Sequence, residues 1–163
     1  MLTGSRGLAR ISANPGKTQL INHFLVEDKW YLVDLPGYGY ARTSKEARAS
    51  WNKMITAYLS ERPNLMCSFI LIDIRLEMQE NDAQMIRWFG LHKLSFALLF
   101  TKADKISAQQ CDKQIRLYQD KLLHDWEELP PIWVTSAKTA QGRDEIIQYI
   151  REVNALFDKS VLI

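Results

Sequence analysis

The sequence predicts an α/β fold: a mostly parallel sheet with one antiparallel strand and helices on both faces. Three observations carry this reading. Short apolar runs at residues 67–73, 96–100 and 130–134 alternate with longer stretches of helical period. The runs are continuous rather than alternating, as in strands buried on both sides. Each is followed by polar or glycine-bearing residues, the usual junction between a strand and its crossover helix. A length of 163 residues suits one domain with one core, spanning residues 1–163.

The elements follow in order. Residues 1–17 carry Gly4, Gly7, Pro15 and Gly16 without a hydrophobic period and read as a loop. Within it, Asn14-Pro-Gly-Lys-Thr18 invites comparison with a phosphate-binding P-loop. That motif needs Gly-x-x-x-x-Gly-Lys-Ser/Thr between a strand and a helix. Ile11 stands five residues before Gly16, no strand precedes the segment, and residues 19–26 alternate with period two. With Glu27-Asp28 as a tight turn, residues 19–26 and 29–34 form an antiparallel hairpin. Thr43-Ser-Lys-Glu46 has capping-box form and starts a helix with Ala47, Trp51, Met54, Ile55, Tyr58 and Leu59 on one face, stopped by Pro63. After strand 67–73, a helix over about 80–92 buries Met85, Ile86 and Phe89, with Trp88 in a packing role. Strand 96–100 leads to a helix capped by Ser107, whose stripe is Cys111, Ile115, Tyr118, Leu122 and Trp126. Strand 130–134 precedes Gly142 and a last helix with Ile146, Tyr149, Ile150, Val153 and Phe157 inward.

Composition excludes several classes. The chain is 47% apolar and 25% charged, an ordinary globular balance. A net charge of +2 neither demands nor forbids a nucleic-acid partner. Arg6, Arg10 and Lys17 make either a solvated loop or a small RNA-facing patch. Cys67 and Cys111 lack metal-ligand spacing, and His23, His92 and His124 are isolated, so they read as surface or packing residues. No run reaches the roughly 18 apolar residues of a membrane span, and Met1 to Gly7 has no signal-peptide core. A cytoplasmic monomer with no membrane partner is the expectation.

The chemistry gathers at strand ends. Trp30 to Val33 is a β-prone run ending on Asp34, and Leu35-Pro36-Gly37 breaks it into a glycine-bearing turn. A carboxylate at the carboxyl end of a strand lies where open α/β sheets place ligands. In nucleotide triphosphatases such an aspartate helps to hold Mg²⁺, and the following glycine N–H approaches the terminal phosphate. Asp-x-x-Gly alone also describes many ordinary junctions. About 70 residues on comes Thr101-Lys102-Ala103-Asp104, and some 30 further Ser136-Ala137-Lys138. A parallel sheet brings all three to one rim.

This ordered set resembles the G3, G4 and G5 elements of the Ras-like P-loop GTPase fold. Asp104 can then accept from guanine N1–H and N2–H₂, a donor pair that adenine lacks. An adenine there would leave the carboxylate unpaired, at about 1–3 kcal/mol or more. The Lys102 stem can cover the base while its ammonium stays in water, and the Ala137 N–H can meet guanine O6.

Pro15-Gly-Lys-Thr-Gln-Leu-Ile-Asn22, Asp34-Leu-Pro-Gly-Tyr-Gly-Tyr-Ala41, Leu71-Ile-Asp-Ile-Arg75 and Thr101-Lys-Ala-Asp104 are more closely similar to the EngB (YihA/YsxC-type) family of bacterial GTP-binding proteins. The resemblance implies GTP and GDP as ligands, Mg²⁺ as cofactor and the large ribosomal subunit, rRNA and protein, as partner, with links to cell division and septation. It makes residues 16–20 switch I, with Thr18 reaching Mg²⁺ and ordering around GTP. It implies nucleotide contacts from Gly16, Lys17, Thr18, Gln19 and Leu20; from Asp34, Leu35, Pro36 and Gly37; from Thr101, Lys102, Ala103 and Asp104; and from Thr135, Ser136 and Ala137. Thr18 and Asp34 are the implied metal ligands. Tyr38 stands where Ras-like proteins place a water-orienting glutamine. Unaided hydrolysis is therefore expected to be slow, the missing group coming from a monovalent cation or the ribosome, and no catalytic side chain is assigned. Met1-Leu-Thr-Gly4 matches the end of the family's first helix, so the first strand and P-loop are expected to be missing from this chain. GTP affinity should then be greatly reduced, with two unpaired inner sheet edges beside strands 29–34 and 67–73. Two alternatives stay open: a nucleotide-free interaction module using residues 38–42, and an ATPase using Pro15 to Thr18, which Asp104 disfavours.

Overall fold

The computed structural model describes Leu2 and residues 21–35 and 45–157, with backbone alone for residues 45–52. These fall into two compact units, one holding Leu2–Asn64 and the other Leu65–Val161.

In the first unit, strands β1 (Asn22–Val26) and β2 (Trp30–Asp34) pair antiparallel, from Asn22 opposite Asp34 to Val26 opposite Trp30. Glu27 and Asp28 both adopt left-handed backbone, φ 52° and 54°, and the Lys29 N–H closes the turn on the Val26 carbonyl at 3.0 Å. Left-handed central residues match the twist of the flanking strands, which is why a hairpin accepts them even without glycine. Strand residues 19 and 20 and the capping segment 43–44 of the sequence reading lie outside the described residues. Helix α1 (Lys45–Glu61) buries Ile55 and Leu59, one turn apart, and ends before Pro63. His23 sits edge-on to Tyr58 and Tyr31, with its Nε2 3.1 Å from the Tyr58 hydroxyl.

The second unit is built on three parallel strands, β3 (Ser68–Asp73), β4 (Phe96–Thr101) and β5 (Ile132–Val134), in the order β3-β4-β5. Central β4 is buried on both sides from Phe96 to Phe100. On one face, Phe89 of helix α2 (Glu80–Leu91) meets Phe96, and Tyr118 of helix α3 (Ala108–Leu123) stands edge-on to Phe100 at 4.8 Å. On the other, Tyr149 of helix α4 (Arg143–Ala155) packs on Trp133 and Phe69. Helices therefore cover both faces, as the continuous apolar runs require.

Local chemistry sets the helix starts. Ser107 and Gln110 form a reciprocal capping box, each satisfying the other's backbone N–H, an arrangement that contributes about 1 kcal/mol. Gly142 holds φ 75° at the start of α4. Three expectations need correction. Leu71 on β3 is 62% exposed, because the aromatic cover supplied by Tyr149 centres on Phe69 and Trp133. Trp126 lies beyond the end of α3, folded back through its N–H to the Leu122 carbonyl, and packs on Phe96. The last strand begins at Ile132 rather than 130, since Pro130 and Pro131 have no N–H to give the ladder; Pro131 contributes only its carbonyl, to Leu98 N–H. Among the described residues, β2 pairs only with β1 and β3 only with β4.

Candidate functional site

The carboxyl ends of β3, β4 and β5 converge on one rim. Phe100 and Thr101 are tied to both neighbours: the Thr101 hydroxyl donates to the Ile72 carbonyl at 3.0 Å, and the Thr135 N–H donates to the Phe100 carbonyl at 2.6 Å. Ala103 N–H then reaches the Thr135 carbonyl at 3.1 Å, and Ile74 N–H the Thr101 carbonyl at 3.2 Å. Between these anchors Lys102 adopts φ 65°, and residues Ala103–Lys105 form one 3₁₀ turn. A non-glycine residue held left-handed costs about 1–2 kcal/mol and persists only where its surroundings over-determine it.

Asp104 is the polar centre. Its side chain is 11% exposed, and the two oxygens differ. Oδ1 accepts from the Ser136 hydroxyl at 2.7 Å; Oδ2 is buried without a hydrogen bond, with the Lys105 ammonium 3.6 Å away. Ser136 itself is fully buried, and its Oγ also accepts from the N–H groups of Lys138 and Thr139. These donors fix the hydroxyl so that its proton goes to Asp104. The Ser136 bond chiefly, opposed by burial and aided by Lys105, holds the Asp104 carboxyl below its ordinary range. Asp104 is thus ionised near neutrality, with one buried oxygen that accepts no hydrogen bond. Ala137 is exposed beside it, and its N–H is not among those that Ser136 takes up.

Thr101, Lys102, Ala103, Asp104, Thr135, Ser136 and Ala137, predicted separately from two motifs, are one cluster. Lys102 makes one contact the sequence did not suggest. Its side chain is half exposed, and its ammonium lies 2.8 Å from Asp73 Oδ2 at the end of β3. Asp34 ends β2 with an exposed side chain and Leu35 follows half-buried, both in the other compact unit. Gly16, Lys17, Thr18, Gln19, Leu20, Pro36 and Gly37, and with them Tyr38, lie outside the described residues. The sequence reading singled out Asp73 and Arg75 without giving them chemistry. It also missed Ser136 as the hub that orients Asp104; the signal available was a serine two residues beyond the end of a strand. Among the described residues no group of three or more His, Cys, Asp or Glu is placed to hold a metal, and no helix is long and apolar enough to cross a membrane.

Three parallel strands covered by helices on both faces, with an antiparallel hairpin in the other unit, make up an α/β domain of the Ras-like GTPase class. Solved structures agree on the fold: a probable GTP-binding protein EngB matches with a TM-score of 0.67 at 18% identity over 84% of each chain. Apo elongation factor SelB from Methanococcus maripaludis matches with 0.60 over 78% of this chain and 25% of that one, also at 18% identity. Residues 1–102 match the family model described as 50S ribosome-binding GTPase. Probable GTP-binding protein EngB of Christiangramia forsetii is 47% identical over 154 residues, 94% of this chain and 78% of that protein. Its namesakes in Porphyromonas gingivalis and Bacteroides fragilis are also 47% identical, over 94% of this chain and 77% of each. The chain belongs to the EngB family of GTP-binding proteins.

Proposed function

We propose that this chain is a GTP-binding switch of one GTPase domain that acts in the cytoplasm, as a monomer, in assembly of the large ribosomal subunit and so in normal cell division and septation. The observation that carries the guanine part is Asp104. One carboxylate oxygen is held by a buried serine, and the other is buried without a hydrogen bond. Guanine N1–H and N2–H₂ supply the donors that such a group lacks, and adenine does not. Lys102 covers the base, and Ala137 N–H meets its O6. The ribosomal part is supported by the description of the matching family, 50S ribosome-binding GTPase; the relatives' shared name supports the GTP-binding part.

On this reading Asp34 and Leu35, with Pro36, Gly37 and residues 16–20, attend to the phosphates. Mg²⁺ fits the donors available, since it commonly takes one or two protein oxygens and completes its shell with phosphates and water rather than using a carboxylate cage. Asp34 and Thr18 would hold it, and when bound it neutralises charge on the phosphate oxygens. Hydrolysis is slow without the ribosome or a monovalent cation.

The test is a titration of GTP, GDP and ATP into the millimolar range, with and without Mg²⁺, against the parent and Asp104→Asn. The parent is expected to prefer guanine over adenine nucleotides, and the variant to lose about tenfold or more of that preference. Equal binding of ATP and GTP by the parent refutes the guanine assignment. For the ribosomal part, co-sedimentation with the large subunit should depend on which nucleotide is present.

A further inference from the structure

Asp73 is a heavily engaged side chain of the second unit that nucleotide recognition does not itself use. It stands at the carboxyl end of β3 with its side chain only 16% exposed. Its Oδ1 accepts from Arg75 Nε at 2.8 Å and Arg75 N–H at 3.2 Å; its Oδ2 accepts from Arg75 Nη2 at 2.6 Å and Lys102 Nζ at 2.8 Å. Two cations thus share one carboxylate. The Arg75 fork fixes its plane, because a bidentate guanidinium sets the orientation of both oxygens. What remains of Oδ2 is aimed at Lys102.

Lys102 is thereby held at both ends. Its backbone is locked in the left-handed conformation between Thr101 and Ala103, each hydrogen-bonded to a neighbouring strand end. Its ammonium is tied to Asp73. A free lysine side chain samples many rotamers, and ordering it on binding opposes affinity. A stem already stretched between two anchors has lost much of that freedom before the nucleotide arrives. Lys102 and Asp104 flank Ala103, so the pinned stem and the unsatisfied Oδ2 belong to the same turn.

We propose that Asp73, oriented by Arg75, is a positioning residue for guanine recognition: it holds the Lys102 ammonium so that the side chain is pre-set over the base edge that Asp104 reads. The inference rests on the guanine reading above. It also makes chemical sense of the Asp73-Ile-Arg75 spacing: the Arg75 side chain and its own N–H both reach back to the carboxylate two residues earlier.

The experiment compares the parent with Asp73→Asn, which is isosteric and neutral, and Asp73→Glu, which restores the charge. The first readout is the acetylation rate of Lys102 under a limiting acylating reagent, followed by mass spectrometry, with exposed Lys93 and Lys113 in the same molecule as internal references. The second is the dissociation constant for GDP. Asp73→Asn is expected to raise Lys102 acetylation several-fold while Lys93 and Lys113 stay unchanged, and to weaken GDP about two- to fivefold, a range typical of one partly exposed ion pair. Asp73→Glu should recover part of both. A variant that merely loosens the fold would raise acetylation at all three lysines and lower the melting temperature, and that outcome overturns the positioning role. So does unchanged or tightened GDP binding in Asp73→Asn, since tightening would make the Asp73–Lys102 pair a competitor of the base. If the parent binds no guanine nucleotide, the guanine reading fails first; if the parent binds and Asp73→Asn binds equally well, only the role of Asp73 fails.

Discussion

Substituting Gly142 by alanine tests the packing logic of the rim at a residue that the sequence does not single out for ligand contact. Gly142 begins α4 with φ 75°, and a Cβ built there would stand 2.5 Å from the Val134 carbonyl oxygen and 3.1 Å from Thr135 Cγ2. Three effects compete. A left-handed alanine costs about 1–2 kcal/mol; the unfolded chain's reduced freedom returns about 0.5–1 kcal/mol; the overpacking adds about 1–3 kcal/mol. The overpacking dominates, because the atom in the way is backbone of β5, paired to β4, and cannot swing aside. A net loss of about 1–4 kcal/mol follows, lowering the urea midpoint by roughly 0.5–2 M for a domain of this size. Circular dichroism across a urea series measures it. Ala140, left-handed at φ 62° two residues earlier, is the internal control: Ala140→Gly should be neutral or slightly stabilising. Since Val134 directly precedes Thr135 and Ser136, amide exchange at those two residues should rise in Gly142→Ala. A Gly142→Ala midpoint within about 0.3 M of the parent would refute the claim that this glycine exists to admit the Val134 carbonyl.

The remaining predictions test other links. Gly90 lies inside α2, where alanine would ordinarily stabilise by about 1 kcal/mol, yet a Cβ there would run into the Trp126 ring; Gly90→Ala should instead destabilise by about 1 kcal/mol, and turn stabilising in a Trp126→Leu background when the two are compared in a double-mutant cycle. Ser136→Ala removes the main cause of the lowered Asp104 carboxyl; carboxyl NMR titration should find Asp104 moved up toward the ordinary range, and unchanged titration would contradict the assigned cause. The Asp73 carboxyl is held well below its ordinary 3.8 by the Arg75 hydrogen bonds first, against burial, and then by Lys102. Its folded pKa being depressed, the ionised form adds stability at pH values above the ordinary pKa, and that contribution drains away as pH falls through the lowered one. Urea midpoints at about pH 5 and about pH 2 should therefore fall further for the parent than for Asp73→Asn.

Much of this was legible in the chain because it is written locally. The continuous apolar runs of β3 and β4, the Ser107 capping box and the hairpin around Glu27-Asp28 each depend on residues a few positions apart. The cluster around Asp104 was legible for a different reason: its two motifs each follow a strand, and parallel strands bring their ends together whatever lies between.

What the sequence by itself determined is the order of elements, the rim on which Asp104 and Ser136 meet, and the resemblance to GTP-binding relatives. What only the tertiary structure decided are the pairings between residues far apart: Lys102 with Asp73, Ser136 Oγ with one chosen oxygen of Asp104, and Gly90 beneath Trp126. Periodicity reports which face a side chain occupies, but not which atom across the sheet comes within hydrogen-bonding distance. That is set by strand register and by the left-handed turn at Lys102, quantities that exist only once the chain has closed on itself.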